Sequence, residues 1–175
     1  GLNPEKYRLN YYSSEHVNHL DEIKNNIIRS VLKFLNYNDP IFISTVADVP
    51  AYSGLGSSSA FAVGLIKAIH ELNSEQVSNV QLAEEACYIE IDILKNPIGM
   101  QDQYATAIGN LNNIIFNKKN IIQIKPLNLT KDKMKFIFNH LMFFSTKIFR
   151  SANQVLDQQN KKNIQKINIG YLNEI

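Results

Sequence analysis

A glycine- and serine-rich run, PAYSGLGSSSA from Pro50 to Ala60, is the first part of the sequence with clear chemical potential. Gly54 and Gly56 lack a Cβ atom, so their backbone can take positive φ values and a ligand can approach closely. The next three residues, Ser57 to Ser59, bring hydroxyls and free N–H groups to the first turn of an expected helix. Such a helix start attracts phosphate, and a serine hydroxyl there can bind Mg²⁺. The run therefore predicts a phosphate-binding loop.

Three known glycine motifs fit this run poorly, and one simpler interpretation stays open. A P-loop needs a lysine after its second glycine, and none follows. A dinucleotide fingerprint needs a tighter turn than residues 49–53 allow, and an acidic residue about 20 positions later, which is missing. No G-x-S-x-G nucleophile elbow occurs. By composition alone, a simple glycine-serine turn that caps a helix is as good an explanation as a phosphate site.

Two carboxylates further along the chain, Glu90 and Asp102, have the character that phosphoryl transfer requires. That reaction uses one carboxylate at a Mg·ATP site and a second near the acceptor hydroxyl. Glu90 lies four residues from both Ala86 and Leu94, on or beside the apolar stripe of a predicted helix. A charge there needs a partner, for which a metal ion is one candidate. The alternative is that Glu90 belongs to a solvated acidic helix face.

The composition describes a chain of ordinary domain size. Its 175 residues are 45% apolar, enough to build the core of one domain or a little more. The 18 basic and 16 acidic residues are scattered, so nucleic acid is not an expected partner. No apolar stretch is long enough for a membrane span, and the single cysteine, Cys87, fits packing in a reducing compartment. We therefore expect a cytoplasmic protein, with a homo-oligomer left open.

Hydrophobic periodicity predicts the elements that must position these residues. Apolar residues recur at helical spacing in 21–35, and a β-branched run at 41–47 indicates a strand leading into the loop. Residues 60–72 are apolar around most of their circumference, which is typical of a buried helix. The S-x-x-Q pattern from Ser78 to Gln81 predicts a capped helix over 78–94. Further predicted elements are a hairpin over 111–124 and a helix capped by Thr130. The pattern indicates an α+β fold.

The loop run resembles the second signature of the GHMP kinases, a family of small-molecule kinases that includes galactokinase, homoserine kinase and mevalonate kinase. The matching residues are Pro50, Gly54, Leu55, Gly56, Ser57, Ser58 and Ala60, while Ser59 stands where many members have alanine. The resemblance implies that Pro50 and residues 54–59 wrap the phosphates of ATP, and that Ser58 contacts Mg²⁺. It also implies the two-domain GHMP kinase fold, whose N-terminal domain is like domain 2 of ribosomal protein S5.

The resemblance extends to the two carboxylates. In the family pattern a glutamate near the end of this helix is the second Mg²⁺ ligand, which corresponds to Glu90. An aspartate after a G-x-x-D turn acts on the substrate hydroxyl, and the turn Gly99 to Asp102 has that form. Many members have serine where this chain has Ile98. Whether Asp102 removes the proton or only positions the hydroxyl stays open.

A longer string, PIGMQDQYATAIGNLN from Pro97 to Asn112, is similar to one branch of the family. That branch phosphorylates the anomeric C1 hydroxyl of D-glycero-D-manno-heptose 7-phosphate with ATP. The segment from Arg150 to Ala152 resembles the same branch. This implies Gln101 and Arg150 as substrate-binding residues, with a bidentate contact from Arg150 to the 7-phosphate. A surface arginine at a helix start explains Arg150 equally well from the sequence alone.

Two further motifs of the family find no match in this sequence. No P-x-R-x-x-x-x-G-type motif precedes the loop, and only Gly170 follows Gly109, so the third, glycine-rich motif is missing. We therefore expect an incomplete fold, with most of the N-terminal ATP-binding domain in residues 1–133 and the beginning of the C-terminal domain in 134–175. Alone, such a chain is expected to be a poor kinase. The alternatives are a GHMP kinase of galactose, fucose or mevalonate, or a non-catalytic nucleotide-binding fragment.

Overall fold

The structure, a computed structural model, describes residues 5–48, 54–117, 121–142 and 144. In chain order the elements are β1 (Tyr7–Asn10), β2 (Ser14–Val17), a 3₁₀ turn (Leu20–Glu22), α1 (Asn26–Phe34), β3 (Phe42–Ser44), α2 (Ser57–Leu72), α3 (Asn79–Cys87), a π-helical segment (Tyr88–Ile93), α4 (Gln101–Ile108), β4 (Asn112–Phe116), β5 (Ile122–Pro126) and α5 (Lys131–Asn139). No helix among these residues has the length and apolar character needed to cross a lipid bilayer.

The first sheet carries one face of the main core. Its order is β2-β1-β3, with β1 antiparallel to β2 and parallel to β3. Side chains of a strand alternate between faces, so Tyr7 and Leu9 of β1 and Ile43 of β3 point into the core. The predicted strand before the loop is confirmed as β3, although it is shorter than the apolar run.

Helix α1 begins later than the periodicity of residues 21–35 predicts. Asn25 caps it by accepting a hydrogen bond from the backbone N–H of Ile28 at 3.1 Å. Asp21 and Glu22 belong instead to the separate 3₁₀ turn, because the Glu22 carboxylate accepts hydrogen bonds from the backbone of Asn18 and His19. The prediction of a helix that begins at residue 21 is therefore wrong.

Helix α2 runs through the centre of the core and leads directly out of the loop. Its buried positions include Ala62, Ile66 and Ile69, which confirms the prediction of a buried helix. It begins at Ser57 rather than at residue 60, so the loop serines are themselves the first turn. This early start brings the backbone N–H groups of the serines to a helix N-terminus.

Helices α3 and α4 pack against each other, and the hairpin that follows them packs on this pair. Ser78 caps α3 through the backbone N–H of Gln81 at 3.1 Å, as the capping pattern predicts. The predicted hairpin is confirmed as β4 and β5, which pair antiparallel as a separate two-stranded sheet. A small apolar cluster around Cys87 and Tyr104 joins this hairpin to the helices. The predicted domain boundary at residue 133 falls within α5, and the division into two domains stays a prediction.

Candidate active site

Two glycines give the loop its shape at the entrance to α2. Gly54 has φ +75° and Gly56 has φ +69°, both in the left-handed region that favours glycine. Gly56 is the N-cap of α2 and provides no side-chain hydrogen bond to the first turn. The first N–H groups of a helix have no partner within the helix, and the helix dipole favours an anion there. The 16-residue helix α2 thus presents Ser57, Ser58 and Ser59 at an end suited to phosphate.

Glu90 lies in the π-helical segment that continues α3, and its side chain is fully buried. A hydrogen bond from the backbone N–H of Leu94 to the carbonyl of Ile89, at 2.9 Å, shows the wider turn. Such segments are rare and frequently occur at functional sites. The periodicity of the sequence predicted an uninterrupted helix here and gave no signal for the wider turn.

Three side chains from two other helices donate hydrogen bonds to the Glu90 carboxylate. Ser58 Oγ donates to Oε1 at 2.7 Å, and Ser59 Oγ donates to Oε2 at 2.8 Å. Gln103 Nε2, from the first turn of α4, also donates to Oε2 at 2.6 Å. None of the ion pairs among the described residues involves Glu90, so its charge is buried against neutral donors alone.

Asp102 lies against the glycine turn of the loop. A Cβ atom added to Gly56 would be 3.4 Å from the carboxyl carbon of Asp102. Asp102 is exposed at the start of α4, as is its neighbour Gln101. The structure therefore brings together the loop, Ser58, Glu90 and Asp102, which are far apart in the sequence.

The pair formed by Ser58 and Glu90 fits a Mg²⁺ ion that phosphates help to hold. Mg²⁺ prefers oxygen ligands and commonly takes one or two protein ligands together with waters and substrate phosphates. The exposed Ser58 hydroxyl lies at the edge of the buried carboxylate, and a cation there would offset the cost of burying that charge. Among the described residues there is no group of three or more His, Cys, Asp or Glu side chains that could hold a metal ion without such help.

Two of the predicted site residues lie outside the residues that the structure describes, Pro50 and Arg150. Their predicted contacts, with ATP phosphates and with the sugar phosphate, stay predictions. Ser59 was predicted as a phosphate contact, but its hydroxyl is buried and bonded to Glu90. Sequence reasoning missed Gln103 as a partner of Glu90, because only the fold brings α4 beside the π-helical segment.

Cys87 is a packing residue, as its sequence context predicts. Burial, followed by the nearby carboxylates led by Glu90, raises the pKa of the Cys87 thiol to about 12. A thiol with such a pKa stays protonated at neutral pH and is a poor nucleophile.

Comparison with known proteins places this site in a family. The sequence profile of the GHMP kinases N terminal domain matches residues 25–110, which hold the loop, Glu90 and Asp102. The chain belongs to the GHMP kinase family. It is 30% identical over 143 residues to the D-glycero-alpha-D-manno-heptose 7-phosphate kinase of Campylobacter jejuni, covering 82% of this chain and 42% of that protein. It is 29% identical over 91 residues to the galactokinase of Pyrococcus furiosus, covering 52% of this chain and 26% of that protein.

Solved structures confirm the GHMP kinase fold. A crystal structure of a D-glycero-D-manno-heptose 1-phosphate kinase from Bacteroides thetaiotaomicron has a TM-score of 0.67 and 24% identity, covering 79% of this chain and 48% of that chain. A mevalonate kinase structure has a TM-score of 0.56 and 18% identity, covering 77% and 46%. The predicted α+β GHMP kinase fold is thereby confirmed. This GHMP kinase chain spans less than half the length of these relatives.

Proposed function

We propose that this chain carries the phosphate-binding and acid–base site of an ATP- and Mg²⁺-dependent sugar-phosphate kinase. The observation that carries the proposal is the meeting of three groups at one loop. The buried Glu90 carboxylate touches the exposed Ser58 hydroxyl at 2.7 Å, and Asp102 lies against Gly56 of the same loop. Phosphoryl transfer needs a phosphate cradle, a cation site and a group that handles the acceptor hydroxyl, and these residues supply all three.

The residues act by position and charge, because this reaction depends mainly on positioning and electrostatic stabilisation. The N-terminus of α2 binds the ATP phosphates through its backbone N–H groups and its dipole. Ser58 and Glu90 would hold Mg²⁺, which neutralises charge on the phosphoryl oxygens when it is bound. Asp102, exposed at the edge of the loop, accepts the proton of the acceptor hydroxyl or orients that hydroxyl toward the γ-phosphate.

The proposed acceptor is the anomeric C1 hydroxyl of D-glycero-D-manno-heptose 7-phosphate. The 30% identity to the heptose 7-phosphate kinase extends over 82% of this chain, whereas the matching galactokinase aligns over 52%. Gln101, exposed beside Asp102, is the proposed contact of the sugar, and Arg150 is the proposed partner of the 7-phosphate. We accordingly propose a sugar phosphate and ATP as the binding partners, and the cytoplasm as the compartment.

Titration of the chain with Mg·ATP tests the nucleotide site. We expect Ser58→Ala to weaken Mg·ATP binding by this chain, because it removes a cation ligand, and Asp102→Asn to leave binding intact. In a full-length version of the protein, Asp102→Asn should also abolish ADP release. Equal ATP affinity in the wild type and Ser58→Ala would overturn the proposal. ATP binding by the full-length version without turnover on any acceptor would favour a nucleotide-binding module over a kinase.

A panel of acceptors tests the substrate. Heptose 7-phosphate, galactose, fucose, mevalonate and homoserine are compared by ADP release from a full-length version of the protein at saturating Mg·ATP. We expect the highest kcat/KM with heptose 7-phosphate. A higher value with another acceptor would refute the heptose assignment and leave the kinase proposal standing.

A further inference from the structure

Resting on the proposed function, we propose that Ser59 and Gln103 are positioning residues for the cation site. They hold one oxygen of the Glu90 carboxylate, Oε2, so that the other oxygen, Oε1, stays turned toward Ser58 and a divalent cation. Neither residue would touch the cation itself.

The two oxygens of Glu90 have different surroundings. Oε2 accepts two hydrogen bonds, from Ser59 Oγ at 2.8 Å and from Gln103 Nε2 at 2.6 Å. A carboxylate oxygen has two lone pairs, so these donors fill its accepting capacity. Oε1 accepts a single side-chain bond, from the exposed Ser58 hydroxyl at 2.7 Å. The lone pair of the carboxylate that no described residue occupies therefore belongs to Oε1. It lies on the side of Ser58, where a cation would bind.

A glutamate carboxylate needs such support because its last torsion has no sharp preference. Rotation about this sp³–sp² bond is broad, so the side chain alone does not fix the plane of the two oxygens. Ser59 belongs to α2 and Gln103 to α4, and the two donors hold Oε2 from separate helices. Donors behind a metal ligand commonly set the orientation of that ligand in this way.

Gln103 is kept in place at a cost to stability. Its side chain is fully buried, and among the described residues its Oε1 has no hydrogen-bond partner. The amide cannot be reversed to relieve this, since its oxygen would then face the Glu90 carboxylate. An unpartnered buried carbonyl destabilises the folded state, whereas an apolar side chain of the same length would not. Positions that break a local rule in this way are expected at functional sites.

Two substitutions separate positioning from packing. Ser59→Ala removes only a hydroxyl from a helix, where alanine has the best intrinsic propensity. Gln103→Met keeps the length of the side chain and removes both polar atoms. Matched controls are Ser30→Ala, a buried serine of α1, and Gln81→Met, whose amide donates to Glu85 at 2.8 Å on the protein surface.

The test measures cation-dependent nucleotide binding with Mn²⁺ as the probe and a fluorescent ATP analogue as the reporter. We expect Ser59→Ala and Gln103→Met each to raise the half-saturating Mn²⁺ concentration by about 10-fold, and the double variant by up to about 100-fold. Binding of the analogue in EDTA should stay within about twofold of the wild type. Ser59→Thr, which keeps the hydroxyl, should restore the Mn²⁺ response, and the two controls should match the wild type.

Three outcomes would overturn the inference. An unchanged Mn²⁺ midpoint in Ser59→Ala and Gln103→Met would do so, even if their melting temperatures fall, because the residues would then be merely structural. Equal shifts in the control variants would do so as well. If the wild type itself shows no Mn²⁺-dependent nucleotide binding, the proposed function fails together with this inference, and that result is distinct from a variant effect.

Discussion

Glu15 and Glu90 are both buried carboxylates with three hydrogen-bond donors, yet the donors differ in kind. Glu15, in β2, accepts from the Tyr11 hydroxyl at 2.5 Å and from the backbone N–H groups of Lys24 and Asn25 at 2.6 and 3.1 Å. Glu90 accepts from two serine hydroxyls and one side-chain amide. Glu15 therefore links the edge strand of a sheet to the chain before α1, whereas Glu90 bonds to side chains of the glycine-serine loop and of α4.

The difference matters because a backbone N–H can only donate, whereas a serine hydroxyl can also accept. Two of the three donors around Glu15, the backbone N–H groups of Lys24 and Asn25, are thus committed to an acceptor, one at each oxygen. The Ser58 hydroxyl can turn, and it is exposed, so the Glu90 site can exchange a hydrogen bond for a cation. The backbone donors favour a structural role for Glu15, and the rotatable hydroxyl of Ser58 supports the proposed cation site at Glu90.

The same substitution at both positions gives the sharpest contrast. In Glu90→Gln the new side chain can present its oxygen to Ser59 and Gln103 and its amide N–H to the Ser58 hydroxyl, so this variant should keep the melting temperature of the wild type. It removes the charged cation ligand, and the half-saturating Mn²⁺ concentration for ATP binding should rise at least about 100-fold. Glu15→Gln should instead lose about 2 kcal/mol of unfolding free energy, because at either oxygen position the new N–H₂ group faces a backbone N–H that cannot accept.

Urea unfolding and Mn²⁺ titration of both variants check this contrast. Glu15→Gln should bind the ATP analogue with the Mn²⁺ midpoint of the wild type. The distinction between the two carboxylates breaks down if Glu15→Gln shifts that midpoint, or if Glu90→Gln destabilises the fold as much as Glu15→Gln does.

Much of the Glu90 site could be predicted from the sequence, because its parts have local signals. The glycines of the loop, the serines at a helix start and a carboxylate on an apolar stripe each have a recognisable spacing. Nothing in the sequence indicates that Gln103 bonds to Glu90. It directly follows Asp102, and the residue pattern there does not distinguish a buried glutamine from an exposed one. The wider turn that carries Glu90 also leaves no mark in the periodicity.

The fold shows the same division between local and distant causes. Caps at Ser78 and Thr130 were predictable because each side chain bonds a backbone N–H three residues later. The late start of α1 was not predictable. It depends on Glu15 of β2, whose carboxylate accepts hydrogen bonds from the backbone N–H groups of Lys24 and Asn25 just before the helix. Periodicity alone predicted the start of this helix wrongly, because contacts between residues distant in sequence determine it.

The two loop glycines offer a smaller test of how closely Asp102 belongs to the Glu90 site. Alanine at Gly56 or Gly54 meets the same left-handed backbone, which costs roughly 1 kcal/mol at either position. At Gly56 the new Cβ would lie 3.4 Å from the Asp102 carboxyl carbon, whereas at Gly54 none of the residues that the structure describes comes within 4 Å of it. We expect kcat to fall about 10-fold more in Gly56→Ala than in Gly54→Ala, as misplaced reacting groups lose rate steeply. Equal kcat values would separate Asp102 from the loop.

The smallest expected effect is on the pH dependence of stability, in which Glu15 and a buried histidine, His70, act with opposite signs. Burial acts to raise the pKa of Glu15, but its hydrogen bonds from Tyr11, Lys24 and Asn25 outweigh burial and lower that pKa. The stability that Glu15 contributes is therefore present above its ordinary pKa of about 4.3 and is lost as pH falls through the folded-state pKa.

His70 lies between two carboxylates, with Nδ1 2.6 Å from Glu75 Oε2 and Nε2 2.7 Å from Glu85 Oε2. Burial acts to lower the pKa of His70, but Glu85 and then Glu75 outweigh it and raise that pKa. The stability that His70 contributes is complete below about pH 6.5 and is lost as pH rises through the raised pKa.

Urea unfolding between pH 4 and 9 should show that the free energy of unfolding falls by about 1 kcal/mol on the alkaline side, a decline that His70→Gln removes. The exposed His16→Gln should keep that decline, as should Glu15→Gln, which removes only the acid limb. If the decline persists in His70→Gln, the two carboxylates do not hold a charged imidazole, and the contrast in sign between Glu15 and His70 fails.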